Sequence, residues 1–128
     1  MKKARLKTLS TENLIEEFRT LSSEHIRAIR EGPLGHANRK YETLVAIRGE
    51  LRERGSEAKH QLLELLTAPD LGTRFWAASS ILTFAPHAGE RERAEQVLTE
   101  LAQTQKNSLG FKASMVLEQW KAGTFNPP

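Results

Sequence analysis

Residues 61–82 read QLLELLTAPDLGTRFWAASSIL, and residues 96–117 repeat much of that pattern as QVLTELAQTQKNSLGFKASMVL. At this offset of 35 residues, six positions are identical and most of the others that match are apolar. Each copy contains two apolar segments with helical spacing, separated by a polar break. A self-similarity of this length predicts helical hairpins that stack and bury each other's apolar faces.

Apolar spacing and helix-breaking residues predict six helices and no strand, so we expect an all-α fold. The fourth helix is apolar on nearly every side but too short for a membrane, which predicts a buried central helix. The six predicted helices run from Ser10 or Thr11 to Gly32-Pro33, from His36 to Arg54, from Ser56 to Pro69-Asp70, from Leu71 to Phe84, from Gly89 to Gln103, and from Ser108 to Lys121.

Charge and composition divide the chain into a body and two tails. Residues 1–8 hold four basic residues and no acid, and predict a flexible basic tail. Residues 9–122 form the predicted single domain, and residues 123–128 an irregular C-terminal tail. Since the net charge is +3, the chain without its first eight residues is slightly acidic. We expect a cytoplasmic protein, because cysteine, a signal peptide and a membrane span are all absent.

The middle of the chain contains a pattern of paired apolar residues around a Pro-Asp break. Its residues are Leu62-Leu63-x-Leu65-Leu66, Pro69-Asp70, Thr73-Arg74, Ala77-Ala78 and Ile81-Leu82. This pattern resembles a HEAT or armadillo-type repeat, and residues 9–120 are similar to a bacterial HEAT-like family known only as a domain of unknown function. The resemblance implies a short right-handed α-α superhelix of about three hairpins and no activity. The second copy has Gln105 and Leu109 where the first has Asp70 and Arg74.

Aromatic residues occupy equivalent positions of the repeats at Tyr41, Trp76 and Phe111. They either fill one pocket between the hairpins or form an exposed ladder on the face of the second helices. Aromatic and arginine side chains are the types that anchor protein interfaces. The candidate partner-binding residues are therefore Tyr41, Arg48, Arg52, Trp76 and Trp120.

The sequence contains no nucleophile, phosphate-loop or dinucleotide motif, so we expect no catalytic residue, no cofactor and no metal site. Glu57-x-x-His60 with Glu64 resembles half of a di-iron motif, but the second half is missing. We therefore predict a non-catalytic protein-interaction module that binds a partner protein on its concave face and does not bind membranes. The alternative is a nucleic-acid-binding domain whose basic strip includes Arg48 and Arg52.

Overall fold

The computed structural model describes residues 3–31, 34–84 and 87–127, which form seven α-helices and one 3₁₀ turn but no strand. The all-α prediction is confirmed, and both ends of five of the six predicted helices fall within two residues of the observed ones. The predicted third helix instead comprises an α-helix over Ser56–Glu64 and a 3₁₀ turn over Leu65–Thr67. None of the described helices is long and apolar enough to cross a membrane. The helices are α1 (Lys3–Thr8), α2 (Thr11–Glu31), α3 (Leu34–Glu53), α4 (Ser56–Glu64), α5 (Leu71–Phe84), α6 (Ala88–Thr104) and α7 (Ser108–Ala122), with the 3₁₀ turn at Leu65–Thr67.

Side chains just before the helices bind the backbone N–H groups of the first turn, which have no partner inside a helix. The hydroxyl of Ser10 accepts from the backbone N–H of Asn13 at 3.1 Å before α2. Asp70 accepts from the backbone N–H of Thr73 at 2.8 Å before α5. Asn107 accepts from the second and third backbone N–H groups of α7 at 3.0 and 3.4 Å.

Helices α2 and α5 form the centre of the molecule. α2 packs against α3 and α5, while α5 also packs against α4, α6 and α7. Every residue from Phe75 to Leu82 is buried, which confirms the predicted central helix. The remaining helices surround this pair, so that a single apolar cluster includes residues of all seven helices.

Gly72 allows α2 and α5 to approach each other closely. A Cβ atom at this position would lie 2.8 Å from the backbone oxygen of Ser22 and 3.0 Å from Cγ1 of Ile26. Carbon atoms do not approach a fixed carbonyl oxygen that closely without displacing it, so the spacing of the two helices requires glycine.

The N-terminal segment differs from the predicted flexible tail. Met1 and Lys2 lie outside the described residues, but α1 begins at Lys3 and buries Leu6 in the core. The guanidinium of Arg54 donates to the carbonyl oxygen of Leu6 at 3.1 Å, and the ammonium of Lys7 lies 3.4 Å from Glu50. One buried leucine and these polar contacts hold the basic segment against the end of α3.

Burial in the two copies repeats at a spacing of 36 residues, one more than the sequence offset. Trp76 is buried, while Phe111 is 67% exposed, so the predicted equivalence of these two aromatic residues is wrong. An offset of 35 residues aligns similar residue types, whereas an offset of 36 residues aligns the positions that face the core. The buried pairs at the new spacing are Ala58 and Ala94, Leu62 and Leu98, Leu65 and Leu101, Thr73 and Leu109, Ala77 and Ala113, and Ile81 and Leu117.

The Asp–Arg pair of the repeat pattern has separate roles in the first copy. Asp70 caps α5 and also accepts from the hydroxyl of Ser23 on α2 at 3.1 Å. Arg74 donates from Nε to the carbonyl oxygen of Ala68 and lies 4.0 Å from Glu100 of α6. The two side chains therefore each join the turn to a different neighbouring helix.

Leu6→Ala should destabilise the protein if α1 belongs to the folded body. Because Leu6 is 1% exposed, we expect its truncation to lower the free energy of unfolding by about 2–4 kcal/mol. Arg5→Ala, at an exposed neighbour, is the control and should change it by less than about 0.5 kcal/mol. Urea unfolding followed by circular dichroism measures both, and equal effects of the two variants would contradict the burial of α1.

Gly72→Ala should destabilise the protein, although alanine favours helices more than glycine does. We expect a loss of about 1–3 kcal/mol in the free energy of unfolding, because the added methyl group meets the backbone of α2. Gly49→Ala is the matched control, since nothing lies within 4 Å of its Cβ position on the exposed side of α3. Gly49→Ala should raise the free energy of unfolding by about 0.5–1 kcal/mol, because alanine favours helices more than glycine does. Thermal and urea unfolding measure the free energy of unfolding, which should fall in Gly72→Ala and rise in Gly49→Ala. If Gly72→Ala did not lower it, the contact of α2 with α5 would not require glycine.

Candidate functional site

A hollow of about 190 Å³ opens between α2, α3, α5 and α7, and the C-terminal segment covers one side of it. Helices α3, α5 and α7 thus all contribute to a single depression. Apolar and aromatic side chains form most of its wall, together with a few polar groups, which is the composition of a ligand-binding pocket. The lining residues are His25, Tyr41, Arg48, Phe75, Trp76, Ser79, Lys112, Met115, Val116, Gln119, Phe125 and Pro127.

Trp76 is the centre of a cluster of rings at the back of the hollow. Its ring centroid lies 5.3 Å from that of His25, 5.8 Å from Tyr41, and 6.4 Å from both Phe18 and Phe75. Three of these four contacts are edge-to-face, the arrangement that the charge distribution of aromatic rings favours. The cluster joins α2, α3 and α5, so the back wall of the hollow is part of the core.

His25 accepts a hydrogen bond from Nε1 of Trp76 through its Nδ1 atom at 3.1 Å. Because an indole N–H can only donate, Nδ1 carries no proton and the neutral imidazole holds its proton on Nε2. Burial, followed by the positive charge of Lys112, lowers the pKa of His25 to about 4. His25 is therefore neutral at physiological pH, where a solvated histidine is partly charged.

Two cationic side chains line the hollow. Arg48 is 3% exposed, and its guanidinium carbon lies 5.5 Å from the centroid of the Trp76 ring, within the range of a cation–π interaction. Burial lowers the pKa of Arg48, but an arginine remains charged in proteins. Lys112 is half-buried on the α7 side. None of the described residues that line the hollow is acidic, so its wall has a net positive charge.

The chain reverses after α7 and covers the hollow. Gly123 has φ 76°, a left-handed conformation that glycine adopts without strain. The backbone N–H groups of Thr124 and Phe125 then both donate to the carbonyl oxygen of Gln119, at 2.8 and 3.1 Å. These bonds place the half-buried Phe125 against the core and beside the hollow.

The structure brings together three of the five candidate residues. Tyr41, Arg48 and Trp76 line the hollow, whereas Arg52 and Trp120 do not. Trp76 is only 2% exposed, so the interpretation of an exposed ladder is wrong for this residue, which packs against rings of α2 and α3. Tyr41 is 39% exposed and lies at the rim.

Arg52 instead lines a groove of about 680 Å³ between α1 and α3. The charges in this groove pair with each other, since Lys7 lies 3.4 Å from Glu50 and 3.3 Å from Glu53. Lys7 and Glu53 are both exposed, so their pair is screened by solvent. The groove therefore presents cations and carboxylates side by side rather than charges of a single sign.

The basic strip of the nucleic-acid alternative is interrupted by carboxylates. Arg48 is buried, and Lys40 lies 3.0 Å from Glu24. Arg54 donates to Glu50 at 3.0 Å. Among residues 3–31, 34–84 and 87–127, no three His, Asp or Glu side chains lie close enough together to hold a metal ion. Glu57, His60 and Glu64 therefore form no such group with one another.

A family model described as "Domain of unknown function (DUF2019)" matches residues 12–120. The chain belongs to this family. No curated protein matches this chain. The crystal structure of the protein RPA1889 from Rhodopseudomonas palustris CGA009 is similar, with a TM-score of 0.81 and 25% identity over 96% of this chain and 98% of that one. The expected similarity to a bacterial family of unknown function is thus confirmed.

Sequence reasoning missed several residues that line the hollow of this DUF2019 chain. His25 follows Glu24 without completing any motif, and Lys112 and Gln119 lie among apolar residues of α7 without a motif. For α7 the sequence does contain a signal, because the helical spacing of Lys112, Met115 and Gln119 predicts that they share one face. No periodic pattern places Phe125, because the segment after Gly123 is irregular.

The buried neutral state of His25 should make the stability of the DUF2019 chain depend on pH. Between the unfolded pKa of about 6.5 and the folded pKa of about 4, the unfolded chain binds more protons, so stability falls as the pH is lowered through this range. The expected loss attributable to His25 is about 3 kcal/mol in the free energy of unfolding. Urea unfolding at pH 7, 5.5 and 4 measures it.

His25→Asn is the informative variant, since the amide oxygen can replace Nδ1 as acceptor but does not titrate. We expect a flatter pH dependence than in the wild type. His60→Asn is the control for the replacement of a histidine, because His60 is exposed on α4 and does not line the hollow. If wild type and His25→Asn lost the same stability on acidification, His25 would not be the titrating group.

Proposed function

We propose that this DUF2019 chain is a non-catalytic protein-interaction module that binds a partner protein on the surface around the hollow. The partner would contact the second helices of the three hairpins, α3, α5 and α7, with the rim of the hollow at the centre of the interface. Arg48 and Trp76 would lie beneath this centre, and Tyr41 would contact the partner from the rim. The proposal keeps the expected partner class and restricts the earlier candidate residues to these three.

The distribution of exposed apolar side chains carries the proposal. The large hydrophobic side chains that are exposed among the described residues are Tyr41, Phe111 and Met115, at 39%, 67% and 41%. Tyr41 is on α3 and the other two are on α7, one turn apart, while Tyr41 and Met115 both line the hollow. Apolar residues grouped beside a pocket are typical of interaction surfaces, whereas scattered ones are not.

The finer architecture is also part of the proposal. The three hairpins α2–α3, α4–α5 and α6–α7 would form a short right-handed superhelix of the HEAT or armadillo type, with the hollow on its concave side. The spacing of 36 residues between buried positions supports this arrangement. The cysteine-free composition supports a cytoplasmic location, where thiols remain reduced and disulfides are rare.

Phe111→Ser combined with Met115→Ser should abolish partner binding without unfolding the protein, because both side chains are exposed. The immobilised wild-type chain and the double variant are compared for proteins captured from a lysate of the native host. The matched control is Gln96→Ser with Gln103→Ser, two exposed positions of α6. A captured protein is then purified, and its dissociation constant is measured for each variant.

The proposal predicts a protein that binds the wild type and the α6 control equally and binds the α7 variant at least about tenfold more weakly, as expected for the loss of two apolar contacts. A protein that binds all three chains equally would contradict the proposed surface. Capture of nucleic acid instead, lost on raising the salt concentration, would favour the alternative function.

A further inference from the structure

We infer that residues 124–127, the C-terminal cover, close the hollow in the free protein and are displaced by an extended, uncharged segment of the partner. An aromatic side chain of that segment would take the place of Phe125. The inference rests on the proposed function, because it names the part of the partner that enters the hollow and the step that controls its entry.

The C-terminal cover alternates between side chains that face the hollow and side chains that face solvent. Phe125 and Pro127 are half-buried and line the hollow, whereas Thr124 and Asn126 are exposed. A period of two is that of an extended chain, whose successive side chains point to opposite sides. The cover itself therefore indicates what the hollow accepts, which is an aromatic side chain followed two positions later by a second apolar one.

The wall that meets the cover is largely apolar. Phe75, Trp76, Met115 and Val116 line the hollow together with Phe125, which also packs against the core. Aromatic side chains bury more apolar area than others at such a place. The hollow retains about 190 Å³ with the cover in place, whereas a cavity of about 150 Å³ accepts a benzene ring. An aromatic side chain of the partner therefore has room to enter as the cover moves aside.

The hydrogen bonds that hold residues 124–127 reach only the last turns of α7. The backbone N–H groups of Thr124 and Phe125 and the hydroxyl of Thr124 all donate to the carbonyl oxygen of Gln119. Within these four residues, attachment to the other helices consists of the packing of Phe125 and Pro127. A partner that offers the same packing exchanges one set of apolar contacts for another, so it can displace the cover without breaking the core.

Gly123 is the hinge of the cover. It has φ 76°, and nothing lies within 4 Å of its Cβ position. A β-branched residue here would meet no neighbouring atom, but it would disfavour the left-handed backbone by about fivefold or more. The closed arrangement therefore depends on one backbone position that can be changed without altering any side chain of the hollow.

Binding of the cover's own sequence as a separate peptide tests the inference. The probe is the capped peptide Gly-Thr-Phe-Asn-Pro, which copies residues 123–127. Binding is followed by the indole N–H resonance of Trp76 in a Trp120→Phe background, which leaves a single tryptophan. The peptide should bind Phe125→Ser at least about fivefold more tightly than the wild type, because the hollow is no longer closed. Asn126→Ser is the matched control at an exposed position and should bind as the wild type does.

Gly123→Ile opens the cover in a second way and keeps Phe125 in the chain. It should also bind the peptide about fivefold more tightly than the wild type does. Gly123→Asn is its control, because asparagine tolerates the left-handed conformation. A peptide with serine in place of its phenylalanine should bind none of these chains. A captured partner protein should bind Phe125→Ser and Gly123→Ile more tightly than the wild type and the two controls.

The inference is overturned if the peptide or the captured partner binds the wild type as tightly as Phe125→Ser and Gly123→Ile, because the cover then does not close the hollow. It is also overturned if the serine peptide binds as tightly as the parent peptide, or if both variants are folded by circular dichroism and bind neither peptide. These results leave the proposed function intact. The proposed function fails separately, if the substitutions at Phe111 and Met115 leave capture of a partner unchanged.

Discussion

The close approach of α2 and α5 at Gly72 is the constraint on which the rest of the structure depends. Only a residue without a side chain fits against the backbone of Ser22 and the side chain of Ile26. One turn further along α5, this spacing brings Trp76 within hydrogen-bond distance of His25 on α2. The buried indole N–H thus finds an acceptor, without which its burial would cost free energy.

The hollow follows from the same packing. Since Trp76 contacts rings from α2, α3 and α5, the three helices meet at one point, and the space that they leave is bounded by α7 and the final segment. The back wall is rigid because it belongs to the core, while the rim carries the exposed Tyr41 and Met115. A rigid wall beside an adaptable methionine is well suited to binding, because little conformational entropy is lost when a ligand enters.

Sequence reasoning predicted most of the fold because the breaks between helices are local. Capping residues and Gly or Pro at the helix ends depend only on near neighbours, so five of the six helices were placed within two residues. The third was predicted to continue to Pro69, whereas α4 ends at Glu64 before the 3₁₀ turn. The helix α1 was missed because it is short and basic, and its stability depends on a contact between Leu6 and the core that spacing does not reveal. Arg52 was misplaced for the same reason, since α1 supplies the other side of its groove.

The site was less predictable, because it depends on long-range packing. The sequence identified Tyr41, Arg48 and Trp76 through their residue types and helix positions. It could not show that Trp76 is buried and Phe111 exposed, since a difference of one residue in spacing rotates a helix face by about 100°. His25 becomes significant only through its bond to Trp76, 51 residues away in the chain.

The bond between Trp76 and His25 gives the molecule a built-in probe of its own opening. A buried indole proton that is hydrogen-bonded exchanges with solvent deuterium only when the surrounding structure separates. The exchange rate of this one proton therefore reports the free energy required to move α2 away from α5. A slow rate would mean that the hollow keeps its shape until the whole domain unfolds.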